Sequence, residues 1–199
     1  MTLVLATRNA HKVREIGQVL GGGLSLRSLA DFEGFPEVPE EGETFEANAV
    51  RKATVVARAL GLPAMADDSG LEVDALDGAP GVRSARFSAD GATAEENNAK
   101  LLRMLKDAPE ERRSARFRCV IAVAWPDGTV RTAEGACEGR IAEAPRGAGG
   151  FGYDPLFVPE GYGQTFAELG EEVKNRISHR ARALRRARET ILKTLEDAK

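Results

Sequence analysis

The strongest strand signal in the chain is Ser114-Ala-Arg-Phe-Arg-Cys-Val-Ile-Ala-Val-Ala-Trp125, which is followed by Pro126-Asp127-Gly128. β-Branched and aromatic residues are typical of strands, and a Pro-Asp-Gly sequence is typical of a tight turn. The turn predicts that the chain returns as a second strand from Thr129 to about Cys137. We therefore expect an antiparallel hairpin.

Segments on both sides of this hairpin predict alternating strands and helices. The apolar run Thr2 to Ala6 precedes residues at helical spacing, which predicts a strand, a tight turn and a helix ended by Gly21-Gly22-Gly23. Further strands are predicted over 63–67 and 71–76. Parallel strand–helix units combined with a hairpin imply an α/β fold with a mixed central β-sheet flanked by helices.

Three more helices are predicted from their caps and apolar faces. Thr44 begins one that Gly61 ends, and Thr93 forms a capping box with Glu96 at the start of another. The last helix starts near Ser178. Its predicted buried residues are Ala181, Leu184, Ile191 and Leu195.

Composition limits the classes of protein and of partner. The 199 residues are 42% hydrophobic and 30% charged, which favours a single domain over residues 1–199. No apolar run is long enough to cross a bilayer and the start does not resemble a signal peptide, so we expect a cytoplasmic protein. The net charge of −3 argues against nucleic acid as the main partner. Cys119 and Cys137 lack metal-ligand spacing and are expected to be buried and reduced.

Two segments predict sites for phosphate and for a metal ion. At the first strand–helix junction, a hydroxyl, an amide, a lysine and helix N–H groups could hold phosphate, although Asn9 could simply cap the helix. Asp67 and Asp68 end a buried strand, where paired carboxylates call for a metal or a catalytic role unless they lie in an exposed turn. An acidic loop could supply another carboxylate, or be merely solvated. The residues concerned are Thr7, Arg8, Asn9, Ala10, His11 and Lys12, then Asp67 and Asp68, then Glu40, Glu41 and Glu43.

Two later segments predict contacts with a ligand. The glycine-rich run 147–155 lacks the following helix of a dinucleotide fold, but its backbone allows close approach and Phe151 and Tyr153 could stack on a base. The alternative is a loop whose aromatics pack in the core. His179 and Arg180 occupy the first turn of the last helix, where basic residues oppose the helix dipole. A bound anion would offset that cost, which predicts a ligand contact here. The alternative interpretation is that both residues belong to an exposed basic face of the helix.

Six motifs in order resemble the inosine triphosphatase family, from the first strand to the last helix. They are Thr7-x-Asn9-x-x-Lys12, Gly42-x-Thr44-Phe45-x-x-Asn48-Ala49, Asp67-Asp68-Ser69-Gly70-Leu71, Gly78-x-Pro80-Gly81-x-x-Ser84-Ala85-Arg86, Gly150-Phe151-Gly152-Tyr153-Asp154-Pro155 and Ile177-Ser178-His179-Arg180. The resemblance implies an elongated, two-lobed α/β domain, a homodimer, with a nucleotide cleft across the sheet. It also implies Mg²⁺-dependent hydrolysis of ITP, dITP and XTP to the monophosphate and pyrophosphate.

The resemblance also assigns roles. Asp68 is the implied proton acceptor and a metal ligand, and Glu40 is the second ligand, with Glu41 as the alternative because Pro39 fills a position where many members carry the glutamate. The triphosphate is implied to bind at Thr7 to Lys12, and the nucleoside at Ser69, Phe151, Gly152, Tyr153 and Asp154. Lys174, His179 and Arg180 are implied to contact base and phosphates.

Three other functions stay open on sequence grounds. A pyrophosphatase of the Maf type would accept other modified nucleotides, including pyrimidines. A nucleotide sensor would use the same phosphate site without needing the paired acids. A nucleic-acid binder using the last helix is disfavoured by the acidic charge.

Overall fold

The computed structural model describes residues 2–21 and 24–197, with side chains as far as residue 189. Its six strands form one sheet in the order β2-β1-β3-β4-β5-β6. β1 pairs in parallel with β2 and β3, whereas β5 and β6 pair antiparallel. The predicted α/β class with a mixed sheet is confirmed.

The bounds of the elements follow from their caps and patterns. The strands are β1 Thr2–Leu5, β2 Ser25–Ser28, β3 Ala64–Val73, β4 Ser114–Ala124, β5 Val130–Ile141 and β6 Phe157–Pro159. The helices are α1 Ala10–Leu20, α2 Phe45–Leu60, α3 Ala94–Met104, α4 Phe166–Ile177 and α5 His179–Asp197.

The chain divides into two compact units. The first unit consists of Met1–Asp68, Cys119–Gly135 and Arg180–Lys199, and the second of Ser69–Arg118 and Ala136–His179. β3, β4 and β5 each contribute residues to both units.

The first unit is built on the parallel strands and the helices α1, α2 and α5. Thr44 caps α2 by accepting from the N–H of Ala47, and Gly61 ends it in the left-handed conformation that glycine adopts most readily. The buried core residues are Leu3, Leu5, Ile16, Leu20, Met65, Cys119, Ile121, Val123, Ala183, Leu184 and Ala187.

The second unit has its own core beneath α3 and α4. The predicted capping box of Thr93 and Glu96 starts α3, and Thr165 and Glu168 form an equivalent box on α4. The buried core residues are Leu71, Val73, Leu101, Leu105, Ala115, Phe117, Cys137, Ile141, Tyr153, Leu156, Phe157 and Phe166. Cys119 and Cys137 are buried in their respective units without forming a disulfide, as expected.

Several predicted elements differ from the observed ones. The strands expected over 63–67 and 71–76 are one strand, β3, and residues Asp74–Leu76 form a 3₁₀ turn. Three of the described strands and helices were not predicted. The strands β2 and β6 are too short to show the alternation of apolar and polar residues that indicates a strand, and α4 is interrupted at Gly170 by a non-helical backbone. α1 ends at Leu20 with Gly21 as its C-cap, as the glycine run predicted. Gly22, Gly23 and the side chains of Ile191 and Leu195 lie outside what the structure describes.

Within the described residues, no helix combines the length and the apolar character required to cross a membrane.

Candidate active site

The start of α1 is organised by Asn9. Its side-chain Oδ1 accepts from the N–H groups of His11 (3.0 Å) and Lys12 (3.3 Å), so the predicted helix cap is present. The Thr7 hydroxyl accepts from the Asn9 N–H at 3.1 Å. Thr7 and Lys12 are half-buried, whereas residues 8–11 are exposed. The cap therefore satisfies two helix N–H groups that the sequence had suggested for phosphate.

Asp67 stands at the centre of a buried group of cations. Its Oδ2 accepts from Arg180 Nε (3.1 Å) and Nη2 (3.0 Å), and Lys12 Nζ lies 3.1 Å from the same atom. The guanidinium of Arg180 also pairs with Glu15, and Arg180 is only 2% exposed. Ion pairs thus connect three elements of the first unit, α1, β3 and α5.

Asp68 faces a different set of partners. Asn48 Nδ2 donates to Asp68 Oδ2 at 3.0 Å, and Lys52 Nζ lies 3.6 Å from Asp68 Oδ1. Lys52 also donates to Glu40 Oε1 at 2.7 Å and to the Asp67 carbonyl at 3.1 Å. One ammonium therefore stands beside both carboxylates that were predicted as metal ligands.

Asn48 also fixes the acidic loop. Its Oδ1 accepts from the Gly42 N–H at 2.8 Å, and a Cβ at Gly42 would stand 2.7 Å from that oxygen. Only glycine fits this approach without displacement. With the loop in this position, Glu40 forms an ion pair with Lys52, the same lysine that lies beside Asp68. Exposed Glu41 instead pairs with Arg51 at 2.7 Å. The geometry favours Glu40 over Glu41 as the partner of Asp68.

The two neighbouring aspartates differ in their acidity. Burial raises the pKa of Asp68 above its ordinary value, and the nearby Lys52 and Asn48 do not fully offset that effect. For Asp67 the effect of burial is outweighed by Lys12, Arg180 and Lys52, which hold its pKa well below the usual range. Burial lowers the pKa of Lys52, but Asp68 and Glu40 more than compensate and the pKa is raised overall. Lys52 is therefore cationic. Of the two neighbouring aspartates, Asp68 is the better proton acceptor, because its pKa is raised and that of Asp67 is lowered.

The donor set suits a hard cation. Mg²⁺ is usually held by one or two carboxylates, with substrate phosphates and water completing its shell. Glu40 and Asp68 supply two carboxylates that already converge on one positive charge. Within the described ranges, no three His, Cys, Asp or Glu side chains come close enough together to hold a metal by themselves. The residues fit a metal that is shared with substrate phosphates.

In the second unit, the segment 150–154 carries an ion pair and an aromatic face, and we call it the aromatic loop. Lys174 Nζ donates to Asp154 Oδ2 at 2.6 Å and lies 4.3 Å from the ring centre of Phe151. The Phe151 N–H donates to the same carboxylate at 2.9 Å. Lys174 and Asp154 are buried, but Phe151 is half-buried and keeps part of its ring accessible.

Tyr153 is part of the core and not of the accessible face. It is 5% exposed, and its hydroxyl donates to the Ser84 carbonyl at 2.9 Å. Burial raises the pKa of Tyr153 above its ordinary value. The interpretation that the aromatic residues pack in the core holds for Tyr153, whereas the stacking of Phe151 on a base stays a prediction.

His179 and Arg180 are consecutive but belong to different units. His179 is buried and stacks on Phe117, with ring centres 4.7 Å apart and planes inclined by 12°. Both residues are buried, so the structure does not place them on an exposed basic face. Ser69 is half-buried directly after Asp68 on β3. The substrate contacts assigned to these residues stay predictions.

Sequence reasoning missed Lys52, Asn48 as a partner of Asp68, and Glu15. Asn48 stands in a quoted motif, and Lys52 lies one helical turn after it on the same face of α2. That spacing was a usable signal. Glu15 gave none, because its pairing with Arg180 joins residues 165 positions apart.

These features define an α/β enzyme with a buried charged cluster in one unit and an aromatic loop in the other. The chain belongs to the Ham1 family, whose sequence profile matches residues 3–190. The family predicted from the six motifs is confirmed.

Relatives named as dITP/XTP pyrophosphatases and a solved structure support this assignment. The chain is 55% identical to the dITP/XTP pyrophosphatase of Desulforamulus reducens, covering 96% of both chains. It is 57% identical to the dITP/XTP pyrophosphatase of Geobacter sulfurreducens, covering 92% of both. The HAM1 protein of Coxiella burnetii superposes with a TM-score of 0.88 at 40% identity, covering 97% of this chain and 99% of that one.

Proposed function

We propose that this enzyme, a nucleoside-triphosphate pyrophosphatase, hydrolyses the non-standard purine nucleotides ITP, dITP and XTP. The products are the nucleoside monophosphate and pyrophosphate, so the enzyme removes these nucleotides from the precursor pool. The observation that carries the proposal is the buried Asp68 carboxylate, held by Asn48 and faced by Lys52 beside Glu40. The names of the relatives support the choice of substrates.

Glu40 and Asp68 would hold Mg²⁺. When bound, the ion would neutralise charge on the phosphate oxygens during the displacement. Lys52 already lies beside both carboxylates, so its ammonium would share them with the metal or turn towards a phosphate.

Asp68 would accept a proton from the attacking water. The water oxygen forms a bond to the α-phosphorus, the bond from that phosphorus to the bridging oxygen breaks, and pyrophosphate leaves with the electron pair. A raised pKa makes Asp68 a stronger base than an exposed aspartate. Asp67 suits this role poorly, because three cations hold its proton affinity low.

The triphosphate would be bound by Thr7 to Lys12. Lys12 Nζ lies 3.1 Å from Asp67 Oδ2, and 18% of the Lys12 side chain is exposed. The ion pair would therefore fix the position of the lysine while leaving part of it accessible to a phosphate. The start of α1 adds the positive end of its helix dipole. Arg180 would act through Asp67, since its guanidinium is buried against two carboxylates.

The base would be held by the aromatic loop. Phe151 offers a ring face for stacking, and Ser69, Gly152 and Tyr153 would shape the nucleoside site around it. Lys174 and Asp154 present a donor and an acceptor, and a 6-keto purine accepts a hydrogen bond where adenine donates one. A site that pairs with that edge disfavours adenine, because the mismatch leaves buried polar groups without partners. His179 would support this site by packing on Phe117.

The test is to incubate the protein with Mg²⁺ and, separately, with ITP, dITP, XTP, GTP, ATP and CTP. Pyrophosphate and orthophosphate are quantified independently. We expect pyrophosphate, mainly from the first three nucleotides. Release of orthophosphate, or preferential turnover of CTP as a Maf-type enzyme would show, would refute the proposal.

Three further expectations accompany this proposal. We expect one domain over residues 1–199, a homodimer and a cytoplasmic location. Light scattering coupled to size-exclusion chromatography of the full chain would test the dimer directly.

A further inference from the structure

Two adjacent buried asparagines on α3 have different partners. Asn97 uses both ends of its amide, since its Oδ1 accepts from the Ser88 N–H at 2.7 Å and its Nδ2 donates to the Ala85 carbonyl at 3.2 Å. Asn98 donates from Nδ2 to the Gly152 carbonyl at 3.1 Å. Asn97 therefore ties α3 to the segment that precedes it, whereas Asn98 ties α3 to the aromatic loop.

Asn98 is only partly satisfied. It is 7% exposed, and within the part of the chain that the structure describes its Oδ1 has no hydrogen-bond partner. The amide orientation is nevertheless fixed, because the opposite one would place Oδ1 against the Gly152 carbonyl. An unpaired buried acceptor costs free energy comparable to that gained from one hydrogen bond. The bond to Gly152 therefore adds little net stability to the fold.

The position of Gly152 explains how this bond could act on a ligand. Gly152 lies between Phe151 and Tyr153 and has a φ of 63°, in the left-handed region. Without a side chain, its orientation depends on the backbone contacts of its peptide groups. A bond to its carbonyl fixes the peptide that joins it to Tyr153. Phe151 is tied to the Asp154 carboxylate by its N–H, and Tyr153 is tied to the Ser84 carbonyl by its hydroxyl, so the bond from Asn98 fixes the backbone between these two anchors.

We propose that Asn98 is a positioning residue for the nucleobase site. It holds the Gly152 carbonyl so that Phe151 and the Asp154–Lys174 pair keep the arrangement that receives a purine. The inference rests on the proposed function of the aromatic loop and adds a residue outside the six motifs. It identifies the base, and not the triphosphate, as the part of the substrate that depends on Asn98.

The experiment compares the wild type with Asn98→Ala, using the full chain. Three quantities are measured: kcat and KM for dITP, the inhibition constant of inosine, and the inhibition constant of inorganic tripolyphosphate. We expect KM and the inosine constant to rise about fivefold, the net effect of one hydrogen bond. We expect kcat to change less than about twofold and the tripolyphosphate constant to stay unchanged.

Two further variants separate positioning from packing. Asn97→Ala loses both of its bonds and should lower Tm more than Asn98→Ala while leaving both inhibition constants unchanged. Asn98→Asp keeps the shape but replaces the donor by an acceptor facing Gly152, so it should raise KM at least as much as alanine. If Asn98→Asp does not fold, the alanine comparison alone decides the question.

The outcomes distinguish this inference from the proposed function. If the wild type binds inosine and hydrolyses dITP but Asn98→Ala leaves both constants unchanged, only the role of Asn98 is refuted. A parallel rise in the tripolyphosphate constant would also refute it, because that rise indicates a general structural defect. If inosine does not bind to the wild type and dITP is not hydrolysed, the function of the loop and the role of Asn98 are both refuted.

Discussion

The charged cluster of the first unit and the aromatic loop of the second differ in how they balance buried charge. In the aromatic loop one lysine meets one carboxylate at 2.6 Å, and an aromatic ring covers the pair. Among the described residues of the charged cluster, four carboxylates face three cations, and Lys52 and Arg180 are each shared by two carboxylates. The members of that cluster are Glu15, Glu40, Asp67 and Asp68 with Lys12, Lys52 and Arg180.

This difference indicates the kind of ligand that each cluster suits. A neutral, rigid pair beside a ring presents fixed hydrogen-bonding groups, which suits an uncharged heterocycle. A cluster with surplus negative charge and shared cations suits a divalent metal with an anionic substrate, because both can enter while charge stays balanced. Four predictions test this comparison, from the largest expected effect to the smallest.

Asp68→Asn should fold normally, and its turnover should fall by about 10²–10⁴-fold, because the proton acceptor is replaced by a neutral amide of the same shape. Pyrophosphate release under saturating dITP measures this loss, and circular dichroism verifies the fold. Asp127→Asn, at an exposed turn carboxylate, is the matched control. A variant that keeps a tenth of the wild-type turnover would exclude Asp68 as the base.

Asp67→Asn should be destabilised by about 3–5 kcal/mol, because it removes the carboxylate shared by half-buried Lys12 and buried Arg180, although Arg180 keeps its pairing with Glu15. Urea unfolding followed by fluorescence measures the free energy. Asp68→Asn provides the comparison, since Lys52 lies farther from Asp68, at 3.6 Å, and keeps Glu40, whereas Asp67 lies within 3.1 Å of both Lys12 and Arg180. Equal stability losses in the two variants would contradict the separation of a structural from a catalytic aspartate.

Glu40→Gln should raise the Mg²⁺ concentration needed for half-maximal activity by at least about tenfold, a loss typical of weakened metal coordination. Glu41→Gln should have little effect, because Glu41 pairs with Arg51 on the surface. Titration of activity against Mg²⁺ at fixed dITP checks both. The reverse ranking would make Glu41 the loop ligand.

Tyr153→Phe should cost about 1 kcal/mol of stability, the net value of its hydrogen bond to the Ser84 carbonyl. Thermal unfolding measures the change. Its KM for dITP should rise less than that of Phe151→Ala, because Tyr153 anchors the loop whereas Phe151 offers the stacking face. A larger KM effect at Tyr153 would place the base against the other aromatic residue.

The sequence by itself determined the class of fold and most of its elements. Apolar periodicity, the caps at Asn9, Thr44 and Thr93 and the turn after Trp125 are local signals, because each depends on neighbours within a few residues. The motifs were also sufficient to predict the family. Elements with weak local signals were missed, namely the short strands β2 and β6 and the interrupted helix α4.

Only the tertiary structure decided what each charged residue faces. The sequence placed Asp67 and Asp68 side by side, and only the family resemblance favoured Asp68 as the catalytic residue, while Arg180 was expected at the substrate. In the fold, strand alternation points the two carboxylates towards different partners, and Arg180 is buried between Asp67 and Glu15. The pairings of Arg180 join residues more than a hundred positions apart, and their energies depend on burial and distance. Neither quantity can be obtained from a local pattern.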